Sequence, residues 1–128
     1  MTLAELMLPI FILLIIGTIG LAKGWGGGFD NAKPRDPTFY QEPLRARALA
    51  AHQNGWEAFP FFAVAVLLAE MRLAPQGIVN VLAIAFVLLR TVYVAMYLAN
   101  KPTPRSTVWL FAFAVNLAIF LMPWWARG

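Results

Sequence analysis

Four long apolar stretches follow one another along the chain, and none contains more than one charged residue. They cover residues 6–22, 48–69, 74–99 and 106–125, with Glu57 the charge in the second and Arg90 the charge in the third. A bilayer core of about 30 Å requires about 20 apolar residues in an α-helix. The pattern therefore predicts an all-α integral membrane protein, a four-transmembrane-helix bundle that forms a single domain over residues 1–128. We place the spans at about 4–22, 45–70, 75–99 and 105–125.

The composition supports this class of protein. Hydrophobic residues make up 61% of the chain and charged residues 12%, whereas soluble domains carry about 25% charged residues. Glu5 is the only charged side chain before the first stretch, which therefore lacks the basic segment of a cleavable signal peptide. The absence of cysteine excludes disulfides and thiolate ligands, and with a single histidine we expect no metal site.

Basic residues are divided unequally between the two ends of the spans. Seven adjoin the first and third connections and two lie on the opposite side: Lys23, Lys33, Arg35, Arg45, Arg47, Lys101 and Arg105 against Arg72 and Arg127. By the positive-inside rule, the first and third connections should be cytoplasmic and both termini should lie on the other side. The net charge of +4 therefore reflects membrane orientation and does not indicate nucleic-acid binding.

The three connections differ in length. The segment at residues 23–43, KGWGGGFDNAKPRDPTFYQEP, is rich in glycine and proline, so we predict a long cytoplasmic loop there. Loops of this length in compact domains are often functional, or else mobile. The second and third connections are short, so helices two, three and four should pack as consecutive antiparallel neighbours.

Two of the spans carry polar residues inside the predicted membrane. Asn54 and Glu57 lie three residues apart on helix two. On helix three, Arg90, Tyr93 and Tyr97 follow the spacing of three and four that places side chains on one helical face. Measured from the border of the first and third connections, Glu57 and Arg90 lie at about 18 Å and 15 Å, at about 1.5 Å per residue. An ionised group at mid-bilayer costs about 2.5–3.5 kcal/mol, so we expect Glu57 and Arg90 to pair.

In one interpretation, this pair is only a structural link between helices two and three. However, Asn54 and the two tyrosines supply more hydrogen-bonding groups than an ion pair requires. Arg105, at the start of helix four, lies on the same side of the membrane. A pocket lined by these residues and open to the cytoplasm suits a small, anionic, peptide-like ligand, because guanidinium groups bind carboxylates through two hydrogen bonds.

Two segments carry a resemblance to a known family. They are RALAAHQNGWEAFP at residues 47–60 and RTVYVAMYLAN at residues 90–100, and Arg105 follows before the fourth helix. These motifs resemble those of the MAPEG family, the membrane-associated proteins in eicosanoid and glutathione metabolism, and in particular its bacterial-type microsomal glutathione transferase-like members. With the chain length and the four spans, the resemblance covers essentially the whole chain. It implies a homotrimer in the bacterial inner membrane.

The resemblance also implies a function. Family enzymes bind glutathione as a cosubstrate between neighbouring subunits and transfer it to hydrophobic electrophiles, or use it to reduce lipid hydroperoxides. Carried over by position, the glutathione-binding residues are Arg47, Asn54, Glu57, Arg90, Tyr93 and Tyr97. Arg105 matches the catalytic arginine, since a guanidinium beside the sulfur favours the thiolate, which is the nucleophile. The implied partners are membrane lipid, a hydrophobic small-molecule substrate and further copies of the chain.

Two alternatives from other functional classes stay open. Ala50 stands where family enzymes commonly carry a second arginine, and Ala58 where leukotriene-forming members carry a tyrosine. These departures favour a non-catalytic relative that binds lipid or a partner. A small proton-coupled exporter is a more remote alternative. Such exporters carry a glutamate in the first span, and residues 6–22 contain none; a Glu57 paired with Arg90 would also stay ionised.

Overall fold

The computed structural model describes residues 1–126, and the regular secondary structure in that range is helical. Four long helices are present, with one short 3₁₀ turn before the second: α1 (Leu3–Gly24), the turn Phe39–Gln41, α2 (Pro43–Met71), α3 (Gln76–Leu98) and α4 (Pro102–Trp125). The helix ends differ from the predicted span limits by at most three residues. Arg127, which entered the charge count above, lies outside the described residues.

Three of the helices, α1, α3 and α4, are long and apolar enough to cross a membrane. The second helix has 29 residues, or about 43 Å, but polar side chains from His52 to Glu57 lower its hydropathy. Its two ends nevertheless lie beside the ends of the apolar helices. Arg47 Nε donates to the Leu98 carbonyl at 3.2 Å, which places the start of α2 beside the end of α3.

The other end of α2 meets the start of α1. Thr2 Oγ1 donates to Glu70 Oε1 at 2.8 Å, and the Ala4 amide donates to Asn80 Oδ1 at 3.0 Å. These bonds tie the end of α2 and the start of α3 to the first turn of α1. Because α2 starts at one face and ends at the other, it runs through the same thickness as the three apolar helices. The chain is thus a multi-pass integral membrane protein built as a four-helix bundle.

The helix starts are specified by local capping residues. Thr2 and Glu5 form a reciprocal capping box at the start of α1. At the start of α2, Glu42 accepts hydrogen bonds from the amides of Arg45 at 2.9 Å and Leu44 at 3.1 Å. These bonds hold the pKa of the Glu42 carboxyl below its ordinary value. Its contribution to stability is therefore present above the unfolded pKa, about 4.3, and is lost as the pH falls through the lowered folded value.

An aromatic cluster forms the centre of the core between α1, α2 and α3. Phe11, Phe62 and Phe86 are buried, with ring centroids 5.8 Å apart for Phe11–Phe62, 5.3 Å for Phe11–Phe86 and 4.2 Å for Phe62–Phe86. Nearer the first loop, His52 Nδ1 lies 2.9 Å from the Ile15 carbonyl. A carbonyl can only accept, so Nδ1 carries the proton, and the single histidine links α2 to α1.

The first loop packs against the start of α2. Arg45 donates through its guanidinium to the carbonyls of Trp25 and Gly27, and its Cζ lies 4.1 Å from the centroid of the Phe39 ring. The Tyr40 hydroxyl donates to the Pro34 carbonyl at 3.0 Å. These contacts attach the first loop to the start of α2 through Arg45.

We predict that Gly55→Ala destabilises the bundle, because the added Cβ would lie 2.7 Å from Ile15 Cγ1. Overpacking of this kind costs about 1–3 kcal/mol. Thermal unfolding in detergent should show a lower Tm for this variant. Gly17→Ala is the matched control: its Cβ would meet nothing within 4 Å, and alanine is favoured over glycine in helices by about 0.5–1 kcal/mol. Equal Tm values for the two variants would contradict the close approach of α1 and α2.

Candidate functional site

Polar residues from α2, α3 and α4 meet around two adjoining cavities. The inner cavity has a volume of about 170 Å³ and is lined by Asn54, Glu57, Ala58, Phe61, Phe86, Arg90, Trp109, Ala112, Phe113 and Asn116. The outer cavity, of about 220 Å³, is lined by Asn54, Tyr93, Tyr97, Arg105, Ser106 and Trp109. Asn54 and Trp109 line both cavities, so the two spaces are neighbours between the same three helices.

Two arginines and two tyrosines form a stacked series along the outer cavity. Arg90 Cζ lies 4.2 Å from the centroid of the Tyr93 ring, and the rings of Tyr93 and Tyr97 meet edge to face at 5.7 Å. Arg105 Cζ, from α4, lies 4.4 Å from the centroid of the Tyr97 ring. The three- and four-residue spacing on α3 brings the first three side chains to one face. A cation–π contact of this kind contributes about 0.5–2 kcal/mol, so Tyr97 helps to position Arg105.

The direct pair predicted between Glu57 and Arg90 is not formed, and that prediction was wrong. Arg90 is only 2% exposed, yet its Nε and Nη2 atoms have no hydrogen-bond partner within the described part of the protein. Glu57 lines the same cavity, but its side chain is exposed. The guanidinium instead faces aromatic rings, with Cζ 4.2 Å from the Tyr93 centroid and 5.7 Å from the Phe11 centroid. The two residues share a cavity wall without forming a direct ion pair.

The structure brings six of the seven predicted site residues to the two cavities: Asn54, Glu57, Arg90, Tyr93, Tyr97 and Arg105. Arg47 lies apart from both. Its Nε donates to the Leu98 carbonyl at 3.2 Å, and a cation at the end of a helix also interacts favourably with the helix dipole. Its contact in this structure is therefore the cap of α3.

Two lining residues were missed by sequence reasoning. Asn116, on α4, is 2% exposed and its Oδ1 has no hydrogen-bond partner within residues 1–126. Trp109 lies about one turn after the start of the fourth predicted span and lines both cavities. A sequence signal did exist for Asn116, since it is a lone amide in an uncharged apolar stretch, where polar side chains bond across helices. No comparable signal separates Trp109 from the other tryptophans.

Within the part of the chain that the structure describes, no group of three or more histidine, cysteine, aspartate or glutamate side chains is placed to hold a metal ion. The chemistry available at the two cavities is therefore that of guanidinium, phenol, amide, hydroxyl and carboxylate groups. Guanidinium and phenol groups favour anions, which makes the outer cavity suitable for a negatively charged reactant.

Comparison with protein-family models gives a match over residues 1–125 to the model described as the MAPEG family. The matched region includes all four helices and every residue that lines either cavity. Comparisons with curated proteins and with solved structures gave no significant match.

We predict that Tyr97→Leu frees the Arg105 guanidinium, because leucine has no ring face to hold it. Loss of a contact worth about 0.5–1 kcal/mol at a partly exposed site corresponds to a change of about two- to fivefold. The rate at which a guanidine-selective dicarbonyl reagent modifies Arg105, followed by mass spectrometry, should rise by that factor. Tyr97→Phe keeps the ring and should leave the rate unchanged, with exposed Arg72 as the internal reference. Equal rates in the leucine and phenylalanine variants would contradict the stacking.

Proposed function

Because the chain belongs to the MAPEG family, we propose that it is a glutathione-dependent transferase or peroxidase. Its substrates in this proposal are hydrophobic electrophiles or lipid hydroperoxides that enter from the membrane. The family includes glutathione-dependent transferases as well as non-catalytic binders. The choice between those two groups therefore depends on the residues around the outer cavity.

The observation that carries the proposal is the position of Arg105. Its guanidinium is held over Tyr97 at the wall of the outer cavity, where it would stabilise a thiolate by charge and hydrogen bonding. The chain contains no cysteine, so a thiol nucleophile has to come from the cosubstrate. Glutathione supplies that thiol, and its carboxylates suit a site with two arginines.

Both proposed reactions begin with the thiolate. In transfer, the sulfur attacks an electrophilic carbon, a carbon–sulfur bond forms, and the leaving group departs with the electron pair. In peroxide reduction, the sulfur attacks the terminal peroxide oxygen, the O–O bond breaks, and the alkoxide takes a proton to give an alcohol. The resulting glutathione sulfenic acid condenses with a second glutathione to give the disulfide and water.

Glutathione would be bound by the residues carried over from the family: Asn54, Glu57, Arg90, Tyr93, Tyr97 and Arg47. The exposed carboxylate of Glu57 suits the ammonium group of the ligand, and the tyrosine hydroxyls suit its carboxylate and amide groups. Arg90 supports this site through its contact with the Tyr93 ring.

We further propose that the protein is a homotrimer with glutathione between subunits and with the first-loop face in the cytoplasm. Glu57 supports the assembly: its side chain is exposed in the single chain although it lies within the helix bundle's depth. Charged groups at that depth normally face protein or a water-filled cavity. A neighbouring subunit with its ligand would provide that surrounding.

The trimer is testable by native mass spectrometry of the detergent-solubilised protein. The expected spectrum contains a species with three times the chain mass, and glutathione should appear as a mass increment on that species and not on the released monomer. Repeating the measurement over a range of detergent concentrations controls for non-specific association. A monomer as the stable species that binds glutathione would contradict the assembly.

A second candidate function is binding of lipid or a partner without catalysis. Two observations favour it: Arg47 is engaged with the Leu98 carbonyl, and position 50 is an alanine. The polar face of α2 therefore lacks the second arginine, and one donor of Arg47 is already used by a carbonyl. In this alternative, lipid copurifies with the protein whether or not glutathione is present, and Arg105→Ala leaves the affinity for lipid or partner unchanged.

The exporter alternative gains nothing from the family match, although the absent Glu57–Arg90 pair removes one argument against it.

We predict that Arg105→Ala strongly reduces thiolate formation by bound glutathione. The loss of one charge-assisted hydrogen bond costs about 1.5–3 kcal/mol, equivalent to about a ten- to hundredfold lower thiolate fraction. Ultraviolet difference absorbance of the thiolate and the rate of conjugation to a hydrophobic electrophile should fall together, while calorimetry should show a smaller loss of glutathione affinity.

Lys101→Ala is the matched control for this experiment. Lys101 is an exposed cation four residues before Arg105 and lines neither cavity, so its removal should leave both measurements unchanged. If the parent protein does not bind glutathione at millimolar concentration, the enzymatic proposal fails and the binding alternative takes its place.

A further inference from the structure

The inner cavity contains buried polar groups beyond those that act on the thiol, although Asn54 and Arg90 also belong to the proposed glutathione site. Arg90 and Asn116 both lie in its wall and both are 2% exposed. Each has buried polar atoms without a partner in the described residues: Nε and Nη2 of Arg90, and Oδ1 of Asn116. Asn54 Oδ1, at the boundary with the outer cavity, is also buried without a hydrogen-bond partner in the described residues. These groups surround one space of about 170 Å³.

The charge on Arg90 decides the kind of ligand. A guanidinium that is buried without a directly bonded counterion carries a penalty of several kcal/mol, whereas one unsatisfied amide oxygen costs about 1–3 kcal/mol. The charge is therefore the larger of the two deficits, and an anion relieves it. The asparagines can adapt, because an amide that rotates by a half turn presents its NH₂ group in place of its oxygen.

The geometry of the unpartnered atoms favours a carboxylate over a spherical anion. Nε and Nη2 lie on the same edge of the guanidinium plane and provide two parallel N–H donors, which match the two oxygens of a carboxylate. Glu57 does not occupy this edge, since it forms no hydrogen bond to Arg90 in residues 1–126. The carboxylate therefore has to come from a ligand.

The rest of the inner cavity is apolar and aromatic. Phe61, Phe86 and Phe113 line it together with two alanines of α2 and α4. Such walls cannot satisfy the several amide groups of a peptide, which separates this ligand from glutathione. A dry cavity of about 150 Å³ holds a benzene molecule, so the inner cavity accommodates one aromatic ring or a short alkyl chain.

We propose that the inner cavity is a second ligand site within one subunit, which binds the carboxylate of a small aryl or short-chain alkyl acid between Arg90 and Asn116. Asn116 is a binding residue in this site, and the three phenylalanines contact the apolar part of the ligand. The site adjoins the outer cavity through Asn54 and Trp109 and does not require a thiol to be present.

The probe is benzoate, with benzamide as a neutral molecule of nearly the same shape. Ligand-observed NMR on the full-length protein in detergent should give saturable binding of benzoate, and benzamide should bind at least tenfold more weakly. Asn116→Leu keeps a side chain of similar size and removes the amide. Loss of a hydrogen bond to a charged group, about 1.5–3 kcal/mol, should weaken benzoate binding by about tenfold or more. Thr107→Val, a change on the exposed surface of the same helix, should have no effect.

Arg90→Gln should abolish the preference for benzoate over benzamide. If this variant does not fold, as judged by its Tm and elution volume, the Asn116→Leu comparison decides alone. Equal affinities for benzoate and benzamide, or benzoate binding that is unchanged in Asn116→Leu, would overturn the proposal. So would the absence of benzoate binding, which would leave water as the partner of these groups.

Asn116 separates this site from the glutathione site. Arg90 and Asn54 belong to both proposed sites, so competition between the two ligands does not distinguish them, whereas Asn116 lines only the inner cavity. Asn116→Leu should weaken benzoate binding and leave glutathione affinity unchanged, and an equal loss of both affinities would show that benzoate occupies the glutathione site and would overturn the second site. Benzoate binding in a protein that does not bind glutathione would support the inner site while the proposed function failed. Glutathione binding without benzoate binding would overturn the inner site and leave the proposed function supported.

Discussion

Burial of the Arg90 guanidinium removes most of its water, and the arrangement of the surrounding helices follows from how the charge is accommodated without a carboxylate. Aromatic rings provide the nearest neighbours: Tyr93 on the same helix and Phe11 on α1 lie 4.2 Å and 5.7 Å from Cζ to ring centroid. The negative faces of such rings attract a cation. Through Tyr93 and Tyr97, the same series extends to Arg105 on α4. One buried charge thus links three helices and both cavities.

The helices themselves were accessible from the sequence because their causes are local. Apolar stretches of membrane length, the capping residue Thr2 and the proline that opens α2 each act within a few residues of chain. The depth of Glu57 and Arg90 was accessible for the same reason, since the rise per residue is constant. Both side chains do reach a common cavity. What the sequence did not contain was the rotation of each helix about its own axis.

That rotation is fixed by contacts between helices. Gly55 faces α1, where an added Cβ would lie 2.7 Å from Ile15 Cγ1, and Phe62 lies on the same side of α2 in the aromatic core. Glu57 comes two residues after Gly55, which is about 200° around the helix, so it points away from α1 and toward the exposed surface. The same dependence on packing explains Arg47, whose contact with Leu98 requires knowledge of which helix end is adjacent. Asn116 differs from Asn54 because no other polar site residue lies within one turn of it on its own helix, so its place in the cavity wall depends on the packing of α4 against α2 and α3.

The absence of the expected ion pair changes what the cavities can bind. A paired Glu57 and Arg90 would neutralise each other, and the inner cavity would then be lined by aromatic and amide groups alone. Kept apart, the carboxylate at the rim and the guanidinium in the wall do not use each other's hydrogen-bonding capacity. The rim then favours a cationic group, and the buried edge of Arg90 favours an anionic one. A separation of this kind has a cost in the empty protein, because the buried guanidinium has no directly bonded counterion among the described residues. Bound ligand groups of the right sign, as proposed above, would offset that cost.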